Sequence, residues 1–391
     1  MADHLMSTYT RLPVRFERGE GIWLWDTEGR QYLDALSGIA VCALGHAHPG
    51  VAQALAEQAG RLVHTSNLYG IDLQEQLADR LCKISGMERV FFCNSGAEAN
   101  EAAIKIARLY GHGRDITCPA IIVMENSFHG RTMATLTATG NRKVQAGFEP
   151  LVRGFIRVPF NDLEAIRTIA ATKSDAVAVL VEPIQGEGGI NIPDENYLAG
   201  IRSICDEQGW LMMLDEIQTG IGRTGKWFAF QHESLLPDVV TVAKALGNGV
   251  PIGACLARGS AAECLQPGSH GTTFGGNPLS ARAALAVLDA IESDDLVANA
   301  RAIGQQLLEG FRNSLSDTAG ITAIRGSGLM IGIELDRPCG ELVRRALERG
   351  LLINVTADRV VRLLPPLVTT DHQAEIIIEK VSDLVSEFLA E

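Results

Sequence analysis

Seven short, mostly apolar runs, at 89–93, 120–124, 154–158, 176–181, 210–214, 239–242 and 252–256, constrain this chain more than any other feature. Strict alternation of apolar and polar residues would mark strands with one wet face. Unbroken apolar runs instead mark strands covered on both faces, and the stretches between them carry helical periodicity. That pattern predicts an α/β fold: a large domain built on a mostly parallel seven-stranded sheet with helices on both sides. In such sheets ligands collect at the carboxyl ends of the strands, so the polar and glycine residues that follow each run are where chemistry is expected.

The remaining sequence predicts a smaller α+β domain. Residues 15–34 alternate aromatic and aliphatic side chains around a turn at 26–29, the pattern of a hairpin or short meander. From Leu279 a long helix leads into a region with strands expected near 328–334, 351–354 and 360–364, closing with a helix over 371–389. The expected division is an N-terminal segment, 1–45, belonging with the small domain, a large domain over 46–284, and the small domain proper over 285–391.

Composition excludes several function classes. With 46% hydrophobic against 21% charged residues the chain can bury more than one core and is unlike a disordered one. A formal net charge of -13 argues against binding nucleic acid or an anionic membrane, so any anionic ligand must be held by local groups. The eight cysteines form no C-x-x-C pair and read as buried small residues in a reducing compartment. No apolar stretch is long enough to span a bilayer and the first residues do not read as a secretory leader, which makes the cytoplasm the expected address.

The strand ends carry the candidate site. The run at 239–242 leads to Lys244 and then to glycines. A desolvated lysine has a lowered pKa and serves as a nucleophile toward carbonyls, although a strand-end lysine can also simply snorkel to water. After 89–93 come Ser95, Gly96 and Ala97 at a helix start, which is either a plain cap or an anion site. After 120–124 come Phe128, His129 and Arg131, able to stack on a planar ring and clamp a carboxylate, or to form an ordinary surface turn with an ion pair. Glu182 and Glu187 follow 176–181, and Asp215, Glu216, Ile217 and Gln218 follow 210–214. A carboxylate at Asp215 can keep a heteroaromatic nitrogen protonated. Thr272 and Thr273 sit in a glycine-rich stretch before a helix and offer a second phosphate contact. Two motifs point elsewhere. His46 and His48 suggest a metal but lack a third ligand, and Gly220, Gly222 and Gly225 match dinucleotide-loop spacing but stand too far from the strand end.

Six stretches together, NSGAEAN at 94–100, FHGR at 128–131, VEPIQGEGG at 181–189, DEIQ at 215–218, AKALG at 243–247 and TTFGGNP at 272–278, resemble the class III aminotransferases among fold-type I pyridoxal-phosphate enzymes, in order and spacing. The resemblance spans essentially the whole chain and implies pyridoxal 5'-phosphate as cofactor. It assigns Lys244 to the covalent bond with the cofactor and to proton shuttling, and Asp215 to the ring nitrogen. Gln218 falls near the ring's phenolic oxygen, Phe128 and Ile217 on the two ring faces, Glu216 among the residues that bind the cofactor, and Ser95, Gly96 and Ala97 at the phosphate. Thr272 falls near the substrate, and Thr273 would reach the cofactor of a second subunit, which implies a homodimer.

Within the class the motif wording is nearest to enzymes acting on N2-acetyl-L-ornithine with 2-oxoglutarate as acceptor. The relatives that use succinylornithine, N-succinyl-diaminopimelate, 4-aminobutyrate or ornithine share the same machinery. An NAD-dependent dehydrogenase is the reading from a different class. By the resemblance Arg131 holds the distal carboxylate, while Arg362 binds the carboxylate beside the keto group and is masked by Glu187 when the amine donor is bound. Two positions depart from the family pattern: Ala97 stands where many relatives have threonine, and Ile39 falls where enzymes of free ornithine carry a tyrosine.

Overall fold

The computed structural model describes residues 4–391. Three antiparallel strands open the chain, β1 (Phe16–Glu20), β2 (Trp23–Asp26) and β3 (Gln31–Asp34), so the expected hairpin or meander is a meander. Its second turn is tied by Asp26, whose Oδ1 accepts from the amides of Glu28 and Arg30. That is the side-chain capping which makes aspartate a turn former.

The large sheet is built from β4 (Arg89–Cys93), β5 (Ala120–Met124), β6 (Phe155–Val158), β7 (Ala176–Val181), β8 (Leu211–Asp215), β9 (Val239–Val242) and β10 (Gly253–Ala257). Its order is β4-β10-β9-β8-β7-β5-β6, and β10 pairs antiparallel with both of its neighbours while the other pairs are parallel. All seven strands expected from the apolar runs are present, three of them shifted by one residue. Every residue of β5, β7, β8, β9 and β10 is buried, as two-sided coverage requires.

A smaller sheet toward the C-terminus contains β11 (Ile321–Ser327), β12 (Met330–Leu335), β14 (Asn354–Thr356) and β15 (Val360–Leu363), in the order β11-β12-β15-β14. Between them β13 (Leu351–Leu352) leaves this sheet and pairs in parallel with β3. The strand expected at 328–334 is β12, beginning two residues later. Strand β11 was not foreseen, because its residues are only partly buried and it lacks an apolar run. The closing helix Asp371–Ala390 begins at Thr370, whose hydroxyl accepts from Gln373 N in a capping box. Among the described residues no helix is long and apolar enough to cross a membrane.

Candidate active site

Five strand exits converge on one cavity of about 400 Å³. Strand β4 delivers Asn94 and Ser95, and the helix Gly96–His112 begins there with its N-terminus on the cavity wall. The Ser95 hydroxyl accepts from Glu98 N at 3.2 Å and the Glu98 carboxylate reaches back to Asn94 N, so the first turn is fixed from both ends. Gly96 is required by close packing: a Cβ there would stand 2.7 Å from Ile217 Cδ1. That leaves the helix N-terminus open to an anion.

Strand β8 delivers Asp215 on its last residue and, from the loop beyond, Ile217 and Gln218. Asp215 is only 4% exposed. Its Oδ2 accepts from Asn100 Nδ2 at 2.7 Å and meets His129 Nδ1 at 2.8 Å, and its Oδ1 accepts from Ile217 N at 3.1 Å. A carboxylate has about four lone-pair sites, so these three contacts leave acceptor capacity on the cavity side. Strand alternation sends the next residue, Glu216, away from the cavity. Its carboxylate takes the Thr219 hydroxyl and the amides of Ala229 and Phe230, and burial pushes it up to about 7. Glu216 therefore braces the loop and is absent from the cavity lining.

Strand β9 ends in Ala243 and Lys244. Lys244 has φ 43, a left-handed conformation costly for a non-glycine residue, at the start of the tight turn Lys244–Gly247. The turn aims the side chain into the cavity, where burial lowers the pKa of the amine; Glu187 opposes that shift and Arg362 adds to it. Strand β5 delivers Phe128 and Arg131, both lining the cavity. The Phe128 amide donates to Glu182 Oε2 at 2.9 Å, and burial raises the pKa of Glu182. Arg131 is exposed, rests its guanidinium 5.9 Å from the Phe128 ring centre, and has no carboxylate partner among the described residues.

Glu187, beyond β7, also lines the cavity, but Arg362 does not. Arg362 lies wholly buried behind Glu187, with Nη1 2.5 Å from Glu187 Oε1 and Nε 3.0 Å from Asn354 Oδ1. Its Nη2 has no hydrogen-bond partner among the described residues. Thr272 and Thr273 stand outside the lining. The Thr272 hydroxyl accepts from Asn94 Nδ2 and from Gly275 N, and Thr273 is exposed. In the loop after β3 the residue facing the cavity is Val41, while Ile39, two positions earlier, is exposed.

Of three further contributors, only Asn100 was not singled out in the sequence. Asn100 holds Asp215 and the carbonyl of His129 together, His129 gives Asp215 its second partner, and Glu182 orients the Phe128 backbone. A buried asparagine on the alanine face of a helix was the available signal for Asn100. The paired histidines have another use as well: His46 Nε2 meets Asp34 Oδ2 at 2.8 Å. Among the described residues no group of three or more His, Cys, Asp or Glu could hold a metal.

Residues 5–385 match the family model described as aminotransferase class III. An acetylornithine aminotransferase of Nitrosomonas europaea is 61% identical over 387 residues, covering 99% of this chain and 98% of that one. The N-acetylornithine aminotransferase of Stenotrophomonas maltophilia superposes with a TM-score of 0.84 at 38% identity, covering 98% of both chains. The ornithine aminotransferase of Toxoplasma gondii, which holds PLP at partial occupancy in its active site, superposes with a TM-score of 0.95 at 33% identity, covering 99% of this chain and 94% of that one. With the family model and a full-length relative both matched over nearly every residue, the chain belongs to the class III aminotransferases.

Proposed function

We propose that the cavity binds pyridoxal 5'-phosphate and that the protein moves the terminal amine of N2-acetyl-L-ornithine to 2-oxoglutarate. The observation that carries this reading is the presence, in one cavity, of a half-buried amine at Lys244 and a carboxylate with spare acceptor capacity at Asp215. The residues present fit the cofactor. Asp215 suits a protonated ring nitrogen, Phe128 and Ile217 supply apolar surface for a planar ring, and the amides around Ser95, Gly96 and Ala97 open toward a phosphate. Where relatives have a threonine hydroxyl, Ala97 leaves only its amide for that purpose.

When bound, the cofactor supplies an electron-withdrawing ring that stabilises negative charge on the carbon bearing the amine. The protein's own groups supply the rest. Lys244 Nζ, kept neutral more readily by burial, would carry the proton between that carbon and the cofactor. Asp215, fixed by Asn100 and His129, holds positive charge at the ring nitrogen. Arg131 is a free cation at the cavity mouth and suits the far carboxylate of a long amine donor. Glu187 covers Arg362 while an amine donor is present; its withdrawal uncovers a buried guanidinium for the carboxylate beside a keto group. The names of the full-length relatives support acetylornithine as the donor, and the aliphatic Val41 and Ile39 supply no hydroxyl to grip a free α-amine.

A second copy of the chain completes this picture. The exposed Leu62, Leu68, Tyr69 and Phe274 are large apolar residues, and Thr273, next to Phe274 in sequence, is exposed as well. We assign them to a dimer interface that would bring Thr273 to the partner's phosphate site. The experiment for the whole reading is a half-reaction panel on protein loaded with cofactor, following loss of its visible band with acetylornithine, succinylornithine, ornithine and 4-aminobutyrate. The acetylated amine is expected to react fastest. Faster conversion by free ornithine or 4-aminobutyrate overturns the donor, and a protein that takes up no cofactor overturns the function.

A further inference from the structure

The glycine motif at residues 220–225 (GIGRTG) does not open a helix as a dinucleotide loop would; it docks onto the small domain. At its centre Arg223 is 1% exposed, yet no carboxylate pairs with it among the described residues. Its Nη1 donates to the carbonyl of Leu329 at 3.1 Å and to that of Pro365, while Nε and Nη2 have no partner among the described residues. Burial alone brings its pKa down to about 10. A cation placed here without a counter-charge is unfavourable, and an apolar side chain would fill the same space at lower cost.

The two carbonyls give the placement a meaning. Leu329 immediately precedes β12 and Pro365 lies two residues beyond β15. These strands pair with Gly332 opposite Arg362. The contact is mutual, since Leu329 N donates to the Arg223 carbonyl at 2.9 Å. Gly328, with φ 52, brings the β11–β12 turn so close that a Cβ there would stand 2.5 Å from the Thr224 carbonyl carbon. On its other side Arg223 belongs to the segment that leaves β8 with Asp215 and Gln218, and Gln218 Oε1 lies 3.5 Å from Arg362 Nη1.

We infer that Arg223 is a positioning residue: by fastening the ends of β12 and β15 to the segment leaving β8, it sets where Arg362 stands relative to Asp215 and Gln218. The inference rests on the function proposed above. A guanidinium suits this task because one planar group can bind two carbonyls in fixed directions, whereas apolar packing would let the strands slide. Arg362 meets substrate only after Glu187 withdraws, so an error in its position is felt in the 2-oxoglutarate half-reaction and much less in the amine-donor one.

The test measures both half-reactions separately in cofactor-loaded wild type, Arg223→Met and Arg223→Lys, with whichever amine donor the wild type accepts. Arg223→Met is expected to raise KM for 2-oxoglutarate by roughly tenfold to a hundredfold, the scale of a small misplacement of a binding group. The amine-donor half-reaction is expected to stay within about threefold, and Arg223→Lys to recover part of the 2-oxoglutarate loss. Gly328→Ala disturbs the same contact from the small domain and is expected to give the same split, which keeps the test available should Arg223→Met not fold. Equal loss in both half-reactions, or no change in either, overturns the positioning role. A wild type that reacts with no amine donor overturns the proposed function instead, and is recognised without any variant.

Discussion

Arg362 and Glu187 form an ion pair with Nη1 and Oε1 2.5 Å apart, although one is wholly buried and the other 37% exposed. The exposed partner can leave, and the buried one cannot follow it. Arg362→Ala is therefore expected to lower kcat/KM for 2-oxoglutarate by roughly a hundredfold, the effect of losing charge-assisted hydrogen bonds worth about 2–3 kcal/mol. The amine-donor half-reaction should change far less. Arg131→Ala should impair both, because both substrates present a carboxylate to the cavity mouth. Single-turnover kinetics of each half-reaction decide this, and equal losses on mutating Arg362 would sink the masking role of Glu187.

Asp215 is held by three donors, so its replacement cannot be silent. Asparagine at 215 offers one acceptor where Asn100, His129 and Ile217 now find two oxygens, and it cannot balance positive charge on a ring nitrogen. Asp215→Asn is expected to reduce turnover by at least about a hundredfold, as removal of a preorganised electrostatic partner does. Turnover numbers with saturating cofactor and both substrates provide the check, and activity near that of the wild type would remove Asp215 from the mechanism.

Asn100 is wholly buried and bonded at both ends of its amide: Nδ2 donates to Asp215 and to the His129 carbonyl, and Oδ1 accepts from Thr241. Asn100→Ala strands all three partners and is expected to cost about 2–4 kcal/mol of stability. It should also weaken cofactor binding by loosening Asp215. Urea unfolding of the apoprotein and a spectroscopic titration with cofactor separate the two effects. Unchanged cofactor affinity would confine Asn100 to a stability role.

His46 predicts a pH dependence. Its hydrogen bond to Asp34, followed by one to Cys42, raises its pKa from 6.5 to about 9. The folded protein thus binds this proton more tightly than the unfolded chain does. The resulting stabilisation is fully present below pH 6.5 and is lost as pH rises through about 9. His46→Asn removes it, so the gap in melting temperature between wild type and variant should be largest near about pH 6 and shrink toward about pH 10. A gap that stays constant across that window would show that the pair carries no such charge.

The seven-stranded sheet was readable because five of its strands are buried along their whole length and so appear as mostly apolar runs. β11 was not, since Ile321–Ser327 is half-exposed and mixes arginine, threonine and glycine with aliphatics. In the same way Lys244, Asp215 and Arg131 stood out because they follow apolar runs, where a parallel sheet collects its chemistry. Pairings between residues far apart in sequence did not stand out. Asn100 meets Asp215 across 115 positions of sequence and His46 meets Asp34 across 12, through contacts that exist only once helix and sheet have packed. Glu216 was misread in the opposite sense: adjacency to Asp215 suggested a shared role, but strand alternation turned it to the other side.

The parallel pairing of β3 with β13 has a consequence for how the chain is made. Leu33 pairs with Trp23 on one side but finds its partner on the other only at Leu351, so the meander emerging early from a ribosome cannot complete its sheet until more than three hundred further residues have been synthesised. Contacts of such separation raise contact order and delay closure. The small domain is therefore expected to be the last part to gain protection from hydrogen exchange during refolding. Until then β3 presents an unpaired edge, the kind of surface on which a strand of another chain can pair.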